Sequence, residues 1–201
     1  RKGTAPVVVE ATVKDSTEHA ETRGEAITVS ESPLLITAIP EGGTLARDLD
    51  NEIFILTSYP DGTPARTTLK VHLPSNLGRI PLIGEKPMQA QQLDTEPVGV
   101  AVFHMKPEYG FDSDNAGLRI EADDHRGSRA ESTVPLELRS GADQILLHTD
   151  RAVFNAGDRM KIAVLSTQQT GAAYVDLVHN GQTILTRDVD LENGRAELNL
   201  T

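Results

Sequence analysis

The sequence predicts an all-β protein made of antiparallel β-sandwiches in tandem. Apolar and polar residues alternate along most of the chain, and no segment repeats its apolar residues with a helical period. The chain has 201 residues, more than the roughly 100 that one sandwich needs. A parallel α/β fold is excluded, because its strands are joined by crossover helices.

The first three strands are predicted before residue 40. Residues 7–13 alternate between apolar and polar positions, which indicates a strand with one buried face. Residues 15–21 are acidic and polar and predict a hairpin loop before a second strand at 25–29. A third strand at 34–39 ends at the Pro-Glu-Gly-Gly of residues 40–43, which are typical turn residues.

The next segments predict the centre of a sandwich. Residues 53–56 are apolar at every position, so we expect a central strand there. Tyr-Pro-Asp-Gly at 59–62 predicts a turn, because Pro presets φ and Gly tolerates a positive φ. A strand at 67–73 follows it. We expect the following side chains to be buried: Leu35, Phe54, Leu56, Val71, Val102 and Leu136.

A long polar segment interrupts this pattern at residues 74–97, which contain four prolines. It predicts a loop with one short strand at 80–83. Three further predicted strands complete the first sandwich, at residues 98–105, 118–123 and 132–138.

The second half of the chain repeats the alternation after a predicted junction at Ser140-Gly141. Two Asn-Gly pairs, at 180–181 and 193–194, predict hairpin turns because both residue types tolerate the positive φ of a type I′ turn. Five strands are predicted here, at residues 145–148, 160–165, 172–179, 183–189 and 195–200.

The composition disfavours several classes of partner and site. The 19 basic and 30 acidic residues give a net charge of −11, and Lys and Arg are not clustered as phosphate binding requires. Nucleic acid and anionic membranes are therefore not expected as partners. The lack of cysteine excludes disulfides, thiolate-bound metals and a cysteine nucleophile. No apolar run approaches the roughly 20 residues of a membrane-spanning helix.

The acidic motifs do not match a metal site. Residues 112–117 resemble a calcium loop, but the EF-hand spacing fails. Ala116 occupies the fifth position of the loop, which needs a ligand, and Asp123 occupies the twelfth, which needs Glu. Asp123, Asp124 and His125 are adjacent, and adjacent side chains of a strand point to opposite faces. We therefore predict no catalytic, cofactor-binding or metal-binding residues. The histidines also lack a ligand spacing; they are His19, His72, His104, His125, His148 and His179.

Two segments carry a family resemblance. Residues 149–158, Thr-Asp-Arg-Ala-Val-Phe-Asn-Ala-Gly-Asp, resemble the opening of a macroglobulin-like domain. Residues 51–65 resemble the second strand and following turn of another. The order is similar to the middle of the macroglobulin-like ring of the alpha-2-macroglobulin and complement-component family. The resemblance implies immunoglobulin/fibronectin-III-like sandwiches: the last strands of one domain at 1–30, a complete domain at 31–139 and an incomplete one at 140–201.

The resemblance also implies a function. Members of this family are large exported proteins that trap proteases through cleavage of a bait segment, a conformational collapse and often covalent capture by a thioester. Neither active element maps onto this chain, which has no cysteine for the thioester motif Gly-Cys-Gly-Glu-Gln. The implied role is a non-enzymatic scaffold, with neighbouring macroglobulin-like domains as its partners and target proteases reached through the parent protein. The missing cysteines favour a bacterial member, in the periplasm, at the cell surface or secreted.

Two other functions remain open at this point. The chain could be a set of tandem immunoglobulin-like adhesin or carbohydrate-binding modules of a cell-surface protein, or a hydrolase that uses paired carboxylates. An aromatic content of 3% disfavours sugar binding and glycosidase activity, but it does not exclude an adhesin. Residues 140–201 supply five predicted strands, where a sandwich of this type has about seven. We therefore also expect self-association through open sheet edges.

Overall fold

A computed structural model describes residues 3–73, 90–107, 117–151 and 154–200. Over these ranges the chain forms fourteen β-strands and no helix, and every pairing between the strands is antiparallel. The predicted all-β fold class is confirmed. Within the same residues, none forms a helix of the length and apolarity that a membrane span requires.

The chain begins with a two-stranded ribbon of β1 (Thr4–Lys14) and β2 (Ala20–Ser30). The Asp15 carboxylate closes the loop between them by accepting hydrogen bonds from the backbone N–H groups of Thr17 and His19. The prediction that one face of residues 7–13 is buried is wrong, because β1 is exposed along its whole length and Val13 is 71% exposed. The alternation is present, but no other layer of the described chain covers it.

Two sheets follow and form the first sandwich. One has the strand order β3-β4-β7 and the other β6-β5-β8-β9. The run at 53–56 lies in β4, the central strand of its sheet, as predicted. The strands are β3 (Leu35–Pro40), β4 (Asn51–Ser58), β5 (Thr68–His72), β6 (Gln91–Asp94), β7 (Val100–Met105), β8 (Gly117–Asp123) and β9 (Arg129–Pro135).

One hydrophobic core joins the two sheets. Val71 and Leu136 are buried in it as predicted. Leu35 is only half-buried, and its neighbour Leu34 takes the core position.

On the central strands β4 and β7, the prediction of which face is buried is wrong. The inward residues are Ile53, Ile55, Ala101 and Phe103, whereas Phe54 is half-buried and Leu56 and Val102 are exposed. A run that is apolar at every position does not show which of its two faces is buried.

The predicted loop at 74–97 also needs a correction. Its last part forms β6, Gln91–Asp94, which pairs with β5 through the backbone. Gln-Gln-Leu-Asp contains a single apolar residue, so the alternation that reveals a half-buried strand is missing. The strand predicted at 80–83 and residues 112–116 of the segment that resembles a calcium loop lie outside the described residues.

A buried amide fixes the loop between β3 and β4. The Asn51 side chain accepts a hydrogen bond from the backbone N–H of Ala46 at 2.7 Å and donates to the carbonyl oxygens of Ala46 and Leu49 at 2.8 Å. Because its polar atoms are paired, Asn51 is buried at little cost. The loop is thereby held in one conformation, with Ala46 and Leu49 buried.

The remaining strands form a five-stranded C-terminal sheet with the order β10-β11-β14-β13-β12. Both Asn-Gly turns are confirmed: Asn180, Gly181, Asn193 and Gly194 have φ of 50°, 76°, 52° and 74°. All five predicted strands are present, namely β10 (Ile145–Thr149), β11 (Met160–Ser166), β12 (Thr170–His179), β13 (Gln182–Glu192) and β14 (Arg195–Leu200).

Candidate functional site

The first sandwich and the C-terminal sheet meet at a junction with a small apolar centre. Leu146 on β10 is buried against Ala46 and Leu49 of the β3–β4 loop, and Leu165 on β11 packs against the same cluster. The loop that Asn51 holds in place therefore presents the apolar surface on which the C-terminal sheet rests.

Polar contacts surround this centre. The Arg139 guanidinium donates to the Gly42 carbonyl oxygen at 3.4 Å and to the Ile145 carbonyl oxygen at 3.2 Å, so one side chain ties the β3–β4 loop to β10. The backbone N–H of Thr149 donates to Glu41 Oε1 at 3.5 Å. The Arg139–Gly42 and Thr149–Glu41 hydrogen bonds connect residues 97 and 108 positions apart in the sequence.

Three ionisable side chains, which we call the junction triad, lie beside these contacts: Glu41, Glu52 and His148. Glu41 follows β3 and its backbone N–H donates to the Glu52 carbonyl oxygen at 2.8 Å, so the two glutamates lie side by side. His148 Nε2 lies 3.4 Å from Glu41 Oε2, and Nδ1 lies 3.5 Å from Glu52 Oε1. The side chains of His148, Glu41 and Glu52 are 14%, 18% and 23% exposed.

The ionised form of Glu41 is disfavoured in the junction triad. Burial raises the pKa of Glu41 above its usual value; His148 opposes this effect, and the nearby Glu52 carboxylate adds to it. Glu41 Oε2 is buried and accepts no hydrogen bond from the described residues. This oxygen therefore lacks a hydrogen-bond donor within the described part of the chain, and the cation beside it, His148, is present only when the imidazole is protonated.

Sequence reasoning did not find the junction triad. It placed His148 in the strand predicted at 145–148, where β10 contains it, but it considered the histidines only by their spacing to one another. The pairing of β3 with β4 brings Glu41 beside Glu52, and this neighbourhood could have been read from the hairpin. The approach of His148 depends on how two separate sheets pack, for which the sequence has no local signal.

The structure assigns separate roles to Asp123 and Asp124. Asp123 Oδ2 accepts a hydrogen bond from Arg129 Nε at 2.7 Å. Asp124 is buried and accepts from the Tyr59 hydroxyl and from two N–H groups of the β8–β9 turn. Burial alone would raise the pKa of Asp124, but these hydrogen bonds outweigh burial and hold it at about 2. Asp124 is a structural anchor of this turn.

No protein-family model matches the chain, and no curated protein does. Solved structures are similar to it, and two of them cover 98% of the chain. One is the crystal structure of Salmonella alpha-2-macroglobulin reacted with methylamine, with 14% identity and a TM-score of 0.29. The other is the native conformation of Escherichia coli alpha-2-macroglobulin, with 11% identity and a TM-score of 0.32. The chain spans 14% of the length of each. At these values the similarity does not place the chain in a family.

Proposed function

We propose that the chain is a non-catalytic scaffold segment of an alpha-2-macroglobulin-like protein, within its macroglobulin-like ring and upstream of the bait and thioester regions. The observation that carries the proposal is the junction. Leu146 is buried across it, and Arg139 makes hydrogen bonds on both sides of it. A scaffold has to hold successive domains at a fixed angle, and contacts of this kind resist rotation.

The geometry of residues 149–151 and 154–158 supports the same role. The Thr149 hydroxyl donates to the Arg151 carbonyl oxygen at 2.9 Å, and the Asn155 N–H donates to Asp158 Oδ2 at 2.9 Å. The Arg151 guanidinium lies 4.8 Å from the centre of the Phe154 ring. The polar residues of this segment thus stabilise the connection from β10 to β11, which is a structural role.

The exposed ribbon of β1 and β2 is proposed to pack against a neighbouring macroglobulin-like domain of the parent protein. A ribbon whose valine and isoleucine side chains are exposed on a two-stranded sheet is marginally stable by itself. Coverage by a neighbouring macroglobulin-like domain would bury Val7, Val9, Ile27 and Val29. Target proteases would be reached through the parent protein, which would be exported and act in host defence. The scaffold is proposed to have no enzymatic activity of its own.

The junction can be tested with two adjacent leucines. Replacing Leu146 with Ala should lower the free energy of unfolding by about 2–5 kcal/mol, because it leaves a cavity between the two units. Leu147 is 47% exposed, so the Leu147→Ala control should cost less than about 1 kcal/mol. Urea denaturation measures both. Equal costs for the two variants would show that the C-terminal sheet does not rest on the first sandwich, and the scaffold proposal would fail.

A further inference from the structure

We propose that the junction triad, Glu41, Glu52 and His148, is a binding site for a divalent transition metal, with Zn²⁺ as the ion that suits it best. The ion would join the first sandwich, which supplies both glutamates, to the C-terminal sheet, which supplies the histidine. It would thus cross-link the two units at the junction.

The Nε2–Glu41 distance in the triad fits a shared ion better than a direct hydrogen bond, while Glu52 lies beside the other ring nitrogen, Nδ1. A hydrogen bond between an imidazolium and a carboxylate is about 2.7–2.9 Å long. The two His148–glutamate distances, 3.4 and 3.5 Å, are longer than this. Zn²⁺ lies about 2.0–2.2 Å from nitrogen and carboxylate oxygen, so two ligand atoms of a tetrahedral site are about 3.4 Å apart. His148 Nε2 and Glu41 Oε2 already have that separation.

The third ligand atom is within reach. One ligand atom from each residue can be chosen so that all three lie within 4.8 Å of one another. Glu52 is the most exposed of the three side chains, and rotation of its carboxylate from Nδ1 toward an ion on Nε2 would complete a three-ligand set. The remaining exposure leaves room for a water molecule as the fourth ligand.

The ligand types select the class of ion. An imidazole nitrogen with two carboxylate oxygens suits Zn²⁺ and its neighbours in the transition series. Calcium takes 6–8 oxygen ligands, which these residues do not supply. A bound Zn²⁺ would also remove the electrostatic cost at this site, because it would neutralise the buried Glu41 carboxylate and give Glu41 Oε2 the partner it lacks.

This inference departs from the expectation, based on sequence, that the chain has no metal-binding residues. That expectation rested on ligand spacing along the chain. Here the ligands come from the residue after β3, the second residue of β4 and the last but one residue of β10, and they meet only after the sheets have packed.

Isothermal titration of the whole chain with zinc chloride near neutral pH tests the site. We expect one Zn²⁺ per chain with the wild type. The variants His148→Asn and Glu52→Gln should each bind at least about tenfold more weakly, since loss of even an outer-shell partner costs about 10–100-fold. His104→Asn is the control, because His104 pairs with Asp50 at an exposed position outside the triad; it should bind like the wild type. Calcium chloride should give no binding heat.

Cobalt gives a second measurement that a merely structural histidine would not affect. The wild type with Co²⁺ should show the visible absorption of a four-coordinate site, and both variants should lose it. Wild-type zinc affinity in His148→Asn, or unchanged cobalt bands, would overturn the proposal. If circular dichroism shows that His148→Asn does not fold, then Glu52→Gln decides the matter, since it changes one atom of a partly exposed side chain.

Discussion

Replacing Phe103 with Ala is expected to lower the free energy of unfolding by about 3–5 kcal/mol, the cost of emptying a phenylalanine site in a packed core. Phe103 on β7 is 1% exposed and faces the second sheet of the first sandwich. The same change at Phe54 should cost less than about 2 kcal/mol. Phe54 lies on the neighbouring strand β4, but it is half-buried on the opposite face.

The two phenylalanine variants form a matched pair that urea denaturation can compare in the same buffer. Because Ile53 pairs with Phe103 while Phe54 pairs with Val102, the comparison tests the register and the facing of the central strands together. A larger cost for Phe54→Ala than for Phe103→Ala would mean that the sheet buries its other face.

Replacing Gly99 with Ala should be comparably damaging, at about 2–5 kcal/mol. Gly99 has a φ of 74°, and a Cβ atom there would lie 2.3 Å from the Thr57 carbonyl oxygen. The left-handed conformation costs a residue with a side chain about 1–2 kcal/mol, and displacing packed backbone adds about 1–3 kcal/mol. The Gly99 carbonyl oxygen also accepts a hydrogen bond from the Thr57 N–H, so relief by movement would strain that bond.

Gly62 provides the control for this prediction. It has a φ of 88°, and nothing lies within 4 Å of the position that a Cβ atom would take. Gly62→Ala should therefore cost only the conformational term of about 1–2 kcal/mol. Thermal and urea unfolding of both variants separate the two effects. If Gly99→Ala proved no worse than Gly62→Ala, the close approach of residue 99 to β4 would be contradicted.

The sequence predicted the strands and hairpin turns well, because these depend on neighbouring residues. Alternation located most strands, and the two Asn-Gly pairs form turns with positive φ at both residues. The facing of β4 and β7 was predicted wrongly, because residues 53–56 are apolar on both sides and the buried face is decided by the second sheet. The strand β6 was missed because Leu93 is its single apolar residue, which leaves no alternation to recognise, although β6 pairs with β5 through the backbone.

The junction triad was beyond sequence reasoning for a related reason. Glu41 and Glu52 are brought together by a local hairpin, but His148 reaches them only through the packing of Leu146 on the β3–β4 loop. Such packing depends on shape complementarity between distant segments, which periodicity does not encode. Asp124 differs in part, since two of its hydrogen bonds come from N–H groups of its own turn and the third comes from the distant Tyr59 hydroxyl.

The central claim is that the junction holds the first sandwich and the C-terminal sheet at one fixed angle. The chain has no cysteine, so spin labels can be attached at two new cysteines without other changes. Lys70 on β5 and Tyr174 on β12 are exposed and suit this purpose. Double electron–electron resonance on the labelled Lys70→Cys, Tyr174→Cys protein should give one narrow distance distribution, which Leu146→Ala should broaden. A broad distribution in the protein with Leu146 intact would contradict the claim.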